Sequence, residues 1–330
     1  MSSFDISGNK SQENKFFNLI FDMEKKPKQA ELISDVPPRE LDKLGFQICA
    51  SRAVDPQLAA LIRTNRKLLG YDLDANGREF GRKIIVLDTV PTTMDLVDDL
   101  AQAGQMNAGD VLIALEQTKG LGQNGRSWVS KRGNLHANVL VAGTEEELRL
   151  STVIAALASN ATVGSFGVGQ SGIKWVNDIL VKNGKGYDKI AGILTRVIPV
   201  NISSRLANIG IGLNLNTFPE AANLDQFVTG VTTLRKETQQ EFSLAEVTDV
   251  LLQHLAKQFL QVRLGNRQEI IHAYNDQLVG RFQPARLHDD SNGTVEASGK
   301  FFGVNDYGYA RIGTRKGLEE FFSGRLEIVQ

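Results

Sequence analysis

The stretch GLGQNGRSW, residues 120–128, fits the pattern Gly-x-Gly-x-x-Gly at Gly120, Gly122 and Gly125. In a dinucleotide-binding loop the third glycine opens a helix whose N-terminus holds a pyrophosphate. Here it is followed by RSWVSKRGN, residues 126–134, which has no helical period, and the acidic run at 145–147 stands at a helix start. The motif is weak without its strand and helix, so the dinucleotide reading is set aside. A glycine loop ending in Arg126, with Trp128 just beyond, suits a lid over an anionic ligand. Backbone N–H groups and a guanidinium face the charge while the indole covers an apolar surface.

Working outward, KIIVLDTV at 83–90 reads as a buried strand and TTMDLVDDLAQAG at 92–104 as a helix ended by Gly104. DVLIALEQ at 110–117 is a second strand running into the glycine loop. NLHANVLVAG at 134–143 is another, with His136 and Asn138 alternating with apolar neighbours, and EEELRLSTVIAALASNATVG at 145–164 has helical spacing. IKWVNDILVKNGKGYDKIAGILTRVIPV at 173–200 reads as a hairpin turning in NGKGYD, LANIGIGLNLN at 206–216 as a strand, and AEVTDVLLQHLAKQFLQVRL at 245–264 as a long helix after Ser243. From about residue 281 the text changes to short strands separated by Asn-Gly and Asn-Asp turns, the pattern of a small barrel.

Before residue 80 the text is harder to read. AVDPQLAALIRTNRKLL, from Ala53, suits an amphipathic helix with Asp55 as N-cap and Pro56 at its first position. KKPKQAELISDVPPREL at 25–41 holds helical pieces at most, broken at Pro37 and Pro38. Three segments result: an N-terminal extension over 1–80, a central domain over 81–280 and a small domain over 281–330.

Bulk properties narrow the function classes. Among 330 residues, 37 Lys and Arg against 38 Asp and Glu leave a net charge of -1, which gives no general reason to expect duplex nucleic acid as a partner. Residues 1–80 show no basic recognition helix, so DNA binding is not expected. The single cysteine, Cys49, excludes an intramolecular disulfide and a cysteine zinc cluster. No secretory signal, transit peptide or membrane-spanning run is evident, so a cytoplasmic location without membrane contact is expected.

Several polar residues interrupt apolar strands. Lys174, Asn177 and Asp178 do so in IKWVNDILV, though Asn177 and Asp178 equally fit a turn beside a solvated lysine. Lys189 precedes an apolar strand that contains Gly192, and a glycine inside a strand marks close approach by a ligand or by backbone. Gly210 and Gly212 fall on one strand face, opening a groove floor, with Asn214 following on that face.

These blocks together resemble biotin protein ligases, the family that includes holocarboxylase synthetases. EQTKGLGQNGRSWVSKRGNL at 116–135 resembles the family loop Gln-x-x-Gly-Arg-Gly-Arg-x-Gly-Arg-x-Trp. KWVNDILV resembles Lys-Trp-Pro-Asn-Asp, KIAGIL resembles Lys-Leu-Ala-Gly-Ile-Leu, and GIGLNLN resembles Gly-Ile-Gly-Ile-Asn. PTTM at 91–94 is similar to the Ser-Thr-Asn or Ser-Thr-Met that opens the catalytic domain. GTVEASGKFFGVNDYGYARIGT and FFSGRLEI are similar to the family's small terminal domain. The resemblance implies an α+β fold, a mixed-sheet catalytic domain of the biotin/lipoate ligase type followed by a small SH3-like β-barrel.

It also implies an ATP-dependent ligase. Biotin and MgATP give biotinyl-AMP and pyrophosphate, and a lysine of a biotin carboxyl carrier domain of a biotin-dependent carboxylase then takes the biotin. By matching position, Thr92, Thr93 and Gln117 would hold the ureido head of biotin, Trp128 would cover the ligand, and Gly120, Gly122, Gly192, Gly210 and Gly212 would leave it room. Lys189, Lys174 and Arg126 are the implied catalytic cations. Asn177, Asp178, Asn214 and Gln123 are implied nucleotide contacts, Asn177 and Asp178 also serving Mg2+. Some relatives dimerise through a sheet edge, so a homodimer is among the implied states. Leu121, Gln123 and Asn124 stand where family arginines are usual, which implies a weaker hold on the adenylate. A lipoate-type ligase and a catalytically poor biotin or adenylate sensor are the alternatives.

Overall fold

The computed structural model describes residues 31–34, 80–81, 83–184, 186–200, 204–219, 228–290 and 292–329. The expected helix from Ala53 lies outside them. The described strands of the larger sheet are β1 (Glu31–Ser34), β2 (Lys83–Val90), β3 (Val111–Gln117), β4 (Leu135–Ala142), β5 (Ser171–Lys174), β6 (Asp178–Lys182), β7 (Tyr187–Pro199), β8 (Arg205–Leu213) and β9 (Val228–Val231). Their order is β1-β2-β3-β4-β8-β7-β6-β5, with β9 beside β7. The β1–β2, β2–β3 and β7–β9 pairs are parallel and the others antiparallel, so the sheet is mixed.

The run IIVL in β2 is apolar throughout because both faces of the strand are covered. Ile84 and Val86 join the core formed with α2 (Glu145–Ser165) and α4 (Leu244–Arg263), while Ile85 and Leu87 pack with Val97 and Leu100 of α1 (Thr93–Gln102). α1 covers only part of its face. Gly104, at φ +70°, follows its C-cap, as the glycine at that position suggests. α2 starts on a complete capping box: Thr144 Oγ1 accepts from Glu147 N, and Glu147 Oε2 accepts from Thr144 N at 2.6 Å.

Two sequence expectations are revised. Within the 25–41 segment residues 31–34 form a strand, β1, where helical pieces were expected at most, and the rest of the segment lies outside the described residues; the parallel edge of β2 offers ladder partners that four residues of local pattern do not reveal. The 173–200 hairpin is a three-stranded meander, because Trp175 to Asn177 make a turn between β5 and β6 before NGKGYD turns into β7. The peptide between Trp175 and Val176 is cis. β9, α3 (Leu234–Thr238) and α5 (Arg267–Gln277) had no strong sequence signal.

The second sheet comprises β10 (Pro284–His288), β11 (Val295–Val304), β12 (Ala310–Thr314), β13 (Gly317–Phe321) and β14 (Arg325–Ile328), all antiparallel in the order β13-β12-β11-β10-β14. It is consistent with a small SH3-like barrel. Trp175 Nε1 donates to Gly308 O at 3.0 Å and Asn275 Nδ2 to Val304 O at 3.2 Å, fixing this sheet against the β5–β6 turn and α5. Among the described residues no helix is long and apolar enough to cross a membrane.

A buried ion pair ties the two long helices together. Arg263, in the last turn of α4, places Nε 2.5 Å from Glu147 Oε1, with the side chains 5% and 6% exposed, and Nη2 3.2 Å from Ala142 O. Burial pushes the guanidinium down to about 10, so it stays charged at neutral pH. Removing one partner leaves the other buried and uncompensated, at about 3–5 kcal/mol. Arg263→Met should lower unfolding stability by that amount in a denaturant titration; a loss below about 1 kcal/mol would show that water compensates Glu147.

Candidate active site

The part of the sheet face left open by α1 is floored by glycine. In the β4–β8 ladder Asn138 faces Gly210 and His136 faces Gly212, and in the β7–β8 ladder Gly192 faces Gly212. The loop after β3 folds back over this floor. It is closed by bridges between Gln117 and Ser130 and between Leu121 and Ser127, with Gly122 N donating to Arg126 O at 2.7 Å and Trp128 N to Gly120 O at 2.8 Å. Its tip is a 3-10 turn over Gln123–Gly125 with Asn124 at φ +55° and Gly125 at φ +72°. No helix follows, which agrees with rejecting the dinucleotide fingerprint.

The folded loop lays the indole of Trp128 on the glycines. A Cβ at residue 212 would lie 2.4 Å from Trp128 Cε2, and one at residue 192 would lie 2.9 Å from Cζ3. Trp128 Nε1 is buried and finds no acceptor among the described residues. Lys189 sits beside the ring, its Nζ 5.1 Å from the ring centroid and 2.7 Å from Asp178 Oδ1. The β6–β7 register that produces this pair sets Leu180 opposite Lys189 and Asp178 opposite Gly192. Asn177 is fixed through Nδ2 to Ile193 O at 2.7 Å. Tyr274 OH donates to Val176 O at 2.8 Å beneath this turn, and burial, then the nearby Asp178 charge, raises its pKa.

A polar cluster lies at the start of α1. Gln117 Oε1 accepts from Thr93 N at 2.7 Å and Thr93 Oγ1 at 3.0 Å, and its Nε2 donates to Ser130 Oγ at 2.8 Å. One cavity, about 1500 Å³ counting its open mouth, is lined by both the Thr93–Gln117 cluster and the Lys189–Asp178 pair. Gly122, Gln123, Arg126, Lys174 and Asn214 also line it. Lys174 is buried at the end of β5. Asn214 donates through Nδ2 to Thr232 O at 3.1 Å, and its Oδ1 finds no donor among the described residues.

Thr92 and Gly120 are the sequence-predicted residues that do not line this cavity. Thr92 is the N-cap of α1, its hydroxyl accepting from Met94 N at 3.3 Å. A Cβ at Gly120 would meet Trp128 O at 2.4 Å, so that glycine lets the loop close on itself. Met94, His136, Asn138 and Arg325 line the cavity without having been singled out. The available signal was two polar residues facing inward from the apolar strand β4; the strand register makes it meaningful. Among the described residues no group of three or more His, Cys, Asp or Glu side chains converges to hold a metal.

His136 carries a measurable signature. Its Nε2 lies 3.3 Å from Lys131 O, a carbonyl that can only accept, so Nε2 holds the proton, and the buried Nδ1 finds no donor among the described residues. Burial lowers its pKa to about 4, against a smaller upward pull from the Lys131 carbonyl. The unfolded chain therefore protonates first as pH falls below 6.5, and stability present above that pH is lost progressively down to pH 4. The loss amounts to about 3 kcal/mol. Denaturant titrations at pH 7, 5.5 and 4 should show this decline in the wild type and a flatter profile in His136→Gln; parallel profiles would assign the decline to other groups.

The family model described as Biotin/lipoate A/B protein ligase family matches residues 86–216. The Bifunctional ligase/repressor BirA of Bacillus spizizenii is 28% identical over 313 residues, covering 88% of this chain and 87% of that protein. That share exceeds residues 81–330, so the similarity runs on into the N-terminal segment. The Biotin--[acetyl-CoA-carboxylase] ligase of Paracoccus denitrificans is 27% identical over 202 residues, covering 60% of this chain and 81% of that protein. A solved biotin protein ligase from Aquifex aeolicus in complex with biotin and ATP has a TM-score of 0.60 at 22% identity, covering 75% of this chain and 98% of that chain, a likeness of fold. The lid, the glycine floor and the Lys189–Asp178 pair all fall within residues 86–216, the span that is similar to the biotin/lipoate A/B protein ligase family.

Proposed function

We propose that the protein is a biotin protein ligase that activates biotin with MgATP and transfers it to a lysine of a biotin carboxyl carrier domain. The observation that carries this reading is the position of Lys189. One ammonium touches the lid through Trp128 and the KWVND turn through Asp178, so it stands between a covered apolar slot and the polar end of the cavity. The names of the relatives support the same substrate.

In the first step a carboxylate oxygen of biotin attacks the α-phosphorus of ATP. A mixed anhydride forms and pyrophosphate leaves with the bonding pair. Both reactants are anions, so the barrier is lowered by fixed cations out of bulk water. Lys189, Lys174 and Arg126 supply them, Lys189 bridging the carboxylate and the phosphate. Trp128 on Gly192 and Gly212 covers the acyl chain and keeps water from the anhydride. In the second step the neutral ε-amine of the carrier lysine attacks the acyl carbon, AMP leaves, and the amine gives up a proton.

At the far end Thr93 and Gln117 meet the ureido head. Gly210 and Gly122 give the ligand backbone access, with Thr92 and Gly120 acting through the helix cap and the loop closure. Asn177, Asp178, Asn214 and Gln123 contact the nucleotide. A magnesium ion carried on ATP needs only one or two carboxylates besides phosphate oxygens. Asp178 with the amide oxygen of Asn177 fits that need; the ion when bound screens phosphate charge.

Residues 81–280 form the catalytic unit and 281–330 the small terminal domain in this reading. The protein acts in the cytoplasm without membrane contact, and two copies would pair through a sheet edge. Residues 1–80 are read as making no DNA contact, since they lack a basic helix pattern; retention of duplex DNA by the full chain would overturn that.

Biotin-dependent exchange of labelled pyrophosphate into ATP tests the reading, with Lys189→Ala alongside. Wild-type exchange that requires biotin and falls by at least about 100-fold in the variant is expected, the loss typical of removing one charge-stabilising group. Exchange with lipoate instead of biotin would select the lipoate-type ligase. Biotin binding without exchange would select the sensor.

A further inference from the structure

An amide network behind the cavity floor forces one acceptor to be left over. Asn138 of β4 and Asn208 of β8 are 1% and 0% exposed. Asn208 Nδ2 donates to Met94 O at 3.0 Å and to Asp98 Oδ1 at 2.7 Å. A carbonyl and a carboxylate can only accept, so both N–H groups of Asn208 are spent there and its Oδ1 must face the other way. Asp98 is itself held by Arg196 at 3.0 Å, whose guanidinium also meets Asp95 at 2.6 Å.

The orientation of Asn138 follows from that of Asn208. Its Nδ2 donates to Asn208 Oδ1 at 2.6 Å and to Met94 Sδ at 3.0 Å, which spends both of its N–H groups. Reversing the Asn138 amide would set oxygen against oxygen. Asn138 Oδ1 therefore points away from the network, and it is buried without a donor among the described residues. Such an atom is expensive to leave unpaired. Asn138 lines the cavity at Gly210, where a Cβ would lie 3.3 Å from Asn138 Nδ2 and 2.6 Å from Met94 Sδ.

We propose that Asn138 Oδ1 accepts one N–H of the bound ligand's head group and so selects a cyclic urea over a head that has no N–H. The inference rests on the biotin reading and deepens it. A ureido ring offers two N–H donors. Gln117 Oε1 already accepts twice from Thr93, so among the described residues the unspent side-chain oxygen beside Gly210 is that of Asn138. A dithiolane head of similar size would bury the same oxygen unpaired, and sites that leave a polar group unpaired reject the wrong ligand strongly. Asn138 is thus a specificity-determining residue, and Arg196, Asp98 and Asn208 are positioning residues that hold its amide in register.

Titration of the full chain with biotin carrying 15N in both ureido nitrogens tests this, comparing wild type with Asn138→Leu, and with Asn138→Ala if the leucine variant does not fold. Biotin affinity should fall about tenfold to a hundredfold, the range for one buried hydrogen bond. In the saturated complexes one ureido N–H resonance should move upfield in the variant while the other stays in place. Unchanged affinity, or displacement of both resonances together, would overturn the proposal by making Asn138 a structural residue only. Failure of the wild type to bind biotin would instead overturn the biotin reading on which it rests.

Discussion

The indole of Trp128 occupies the space that side chains at residues 192 and 212 would fill, and the rest of the site is arranged around that exchange. Two glycines on neighbouring strands remove the floor's own side chains, so a lid reaching back from a loop can press an aromatic face onto bare backbone. Gly120 serves the same end at the base of the loop, where any Cβ would collide with Trp128 O. Lys189 gains a ring face and a carboxylate from one position because the β6–β7 register brings Asp178 next to it.

The surrounding fold keeps this arrangement rigid on one side and adjustable on the other. α2 and α4 cover the opposite face of the sheet and are joined by the buried Arg263–Glu147 pair, while Tyr274 and Trp175 anchor the β5–β6 turn to α5 and the second sheet. The lid has fewer constraints. Its tip, Asn124 to Ser127, is exposed and held by short-range hydrogen bonds, so moving it breaks little. Polar groups in the cavity wall, on Asn138, His136, Asn214 and Trp128, are buried without a partner among the described residues.

Much of this was legible in the sequence where chemistry and structure both act over short spans. The glycine loop, KWVND, KIAGIL and GIGLNLN are contiguous because backbone approach and a turn of charged residues are local devices. β2 and β3 were legible because strands buried on both faces read as apolar runs, and β4 because His136 and Asn138 alternate with apolar neighbours. β1 was not, since four residues become a strand only beside β2. The amide network of Asn138 was hidden for a related reason: its orientation is set by Asn208 and Asp98, which sequence spacing does not connect. Thr92 matched a ligand-binding pattern yet spends its hydroxyl on a helix cap, a competing use of the same residue type at the same position.

The chain has two tryptophans, and Trp175 is buried against Gly308 O, so a ligand-linked emission change reports chiefly on Trp128. The most direct measurement is a biotin titration followed by tryptophan fluorescence in wild type and Gly212→Val. If the indole and the bare floor are made for each other, the variant shows shifted emission before ligand is added and binds biotin at least about tenfold more weakly, the lower bound for overpacking a fitted site. Emission and affinity equal to wild type in a folded Gly212→Val would contradict the account, because the floor would then accept a side chain without displacing the lid.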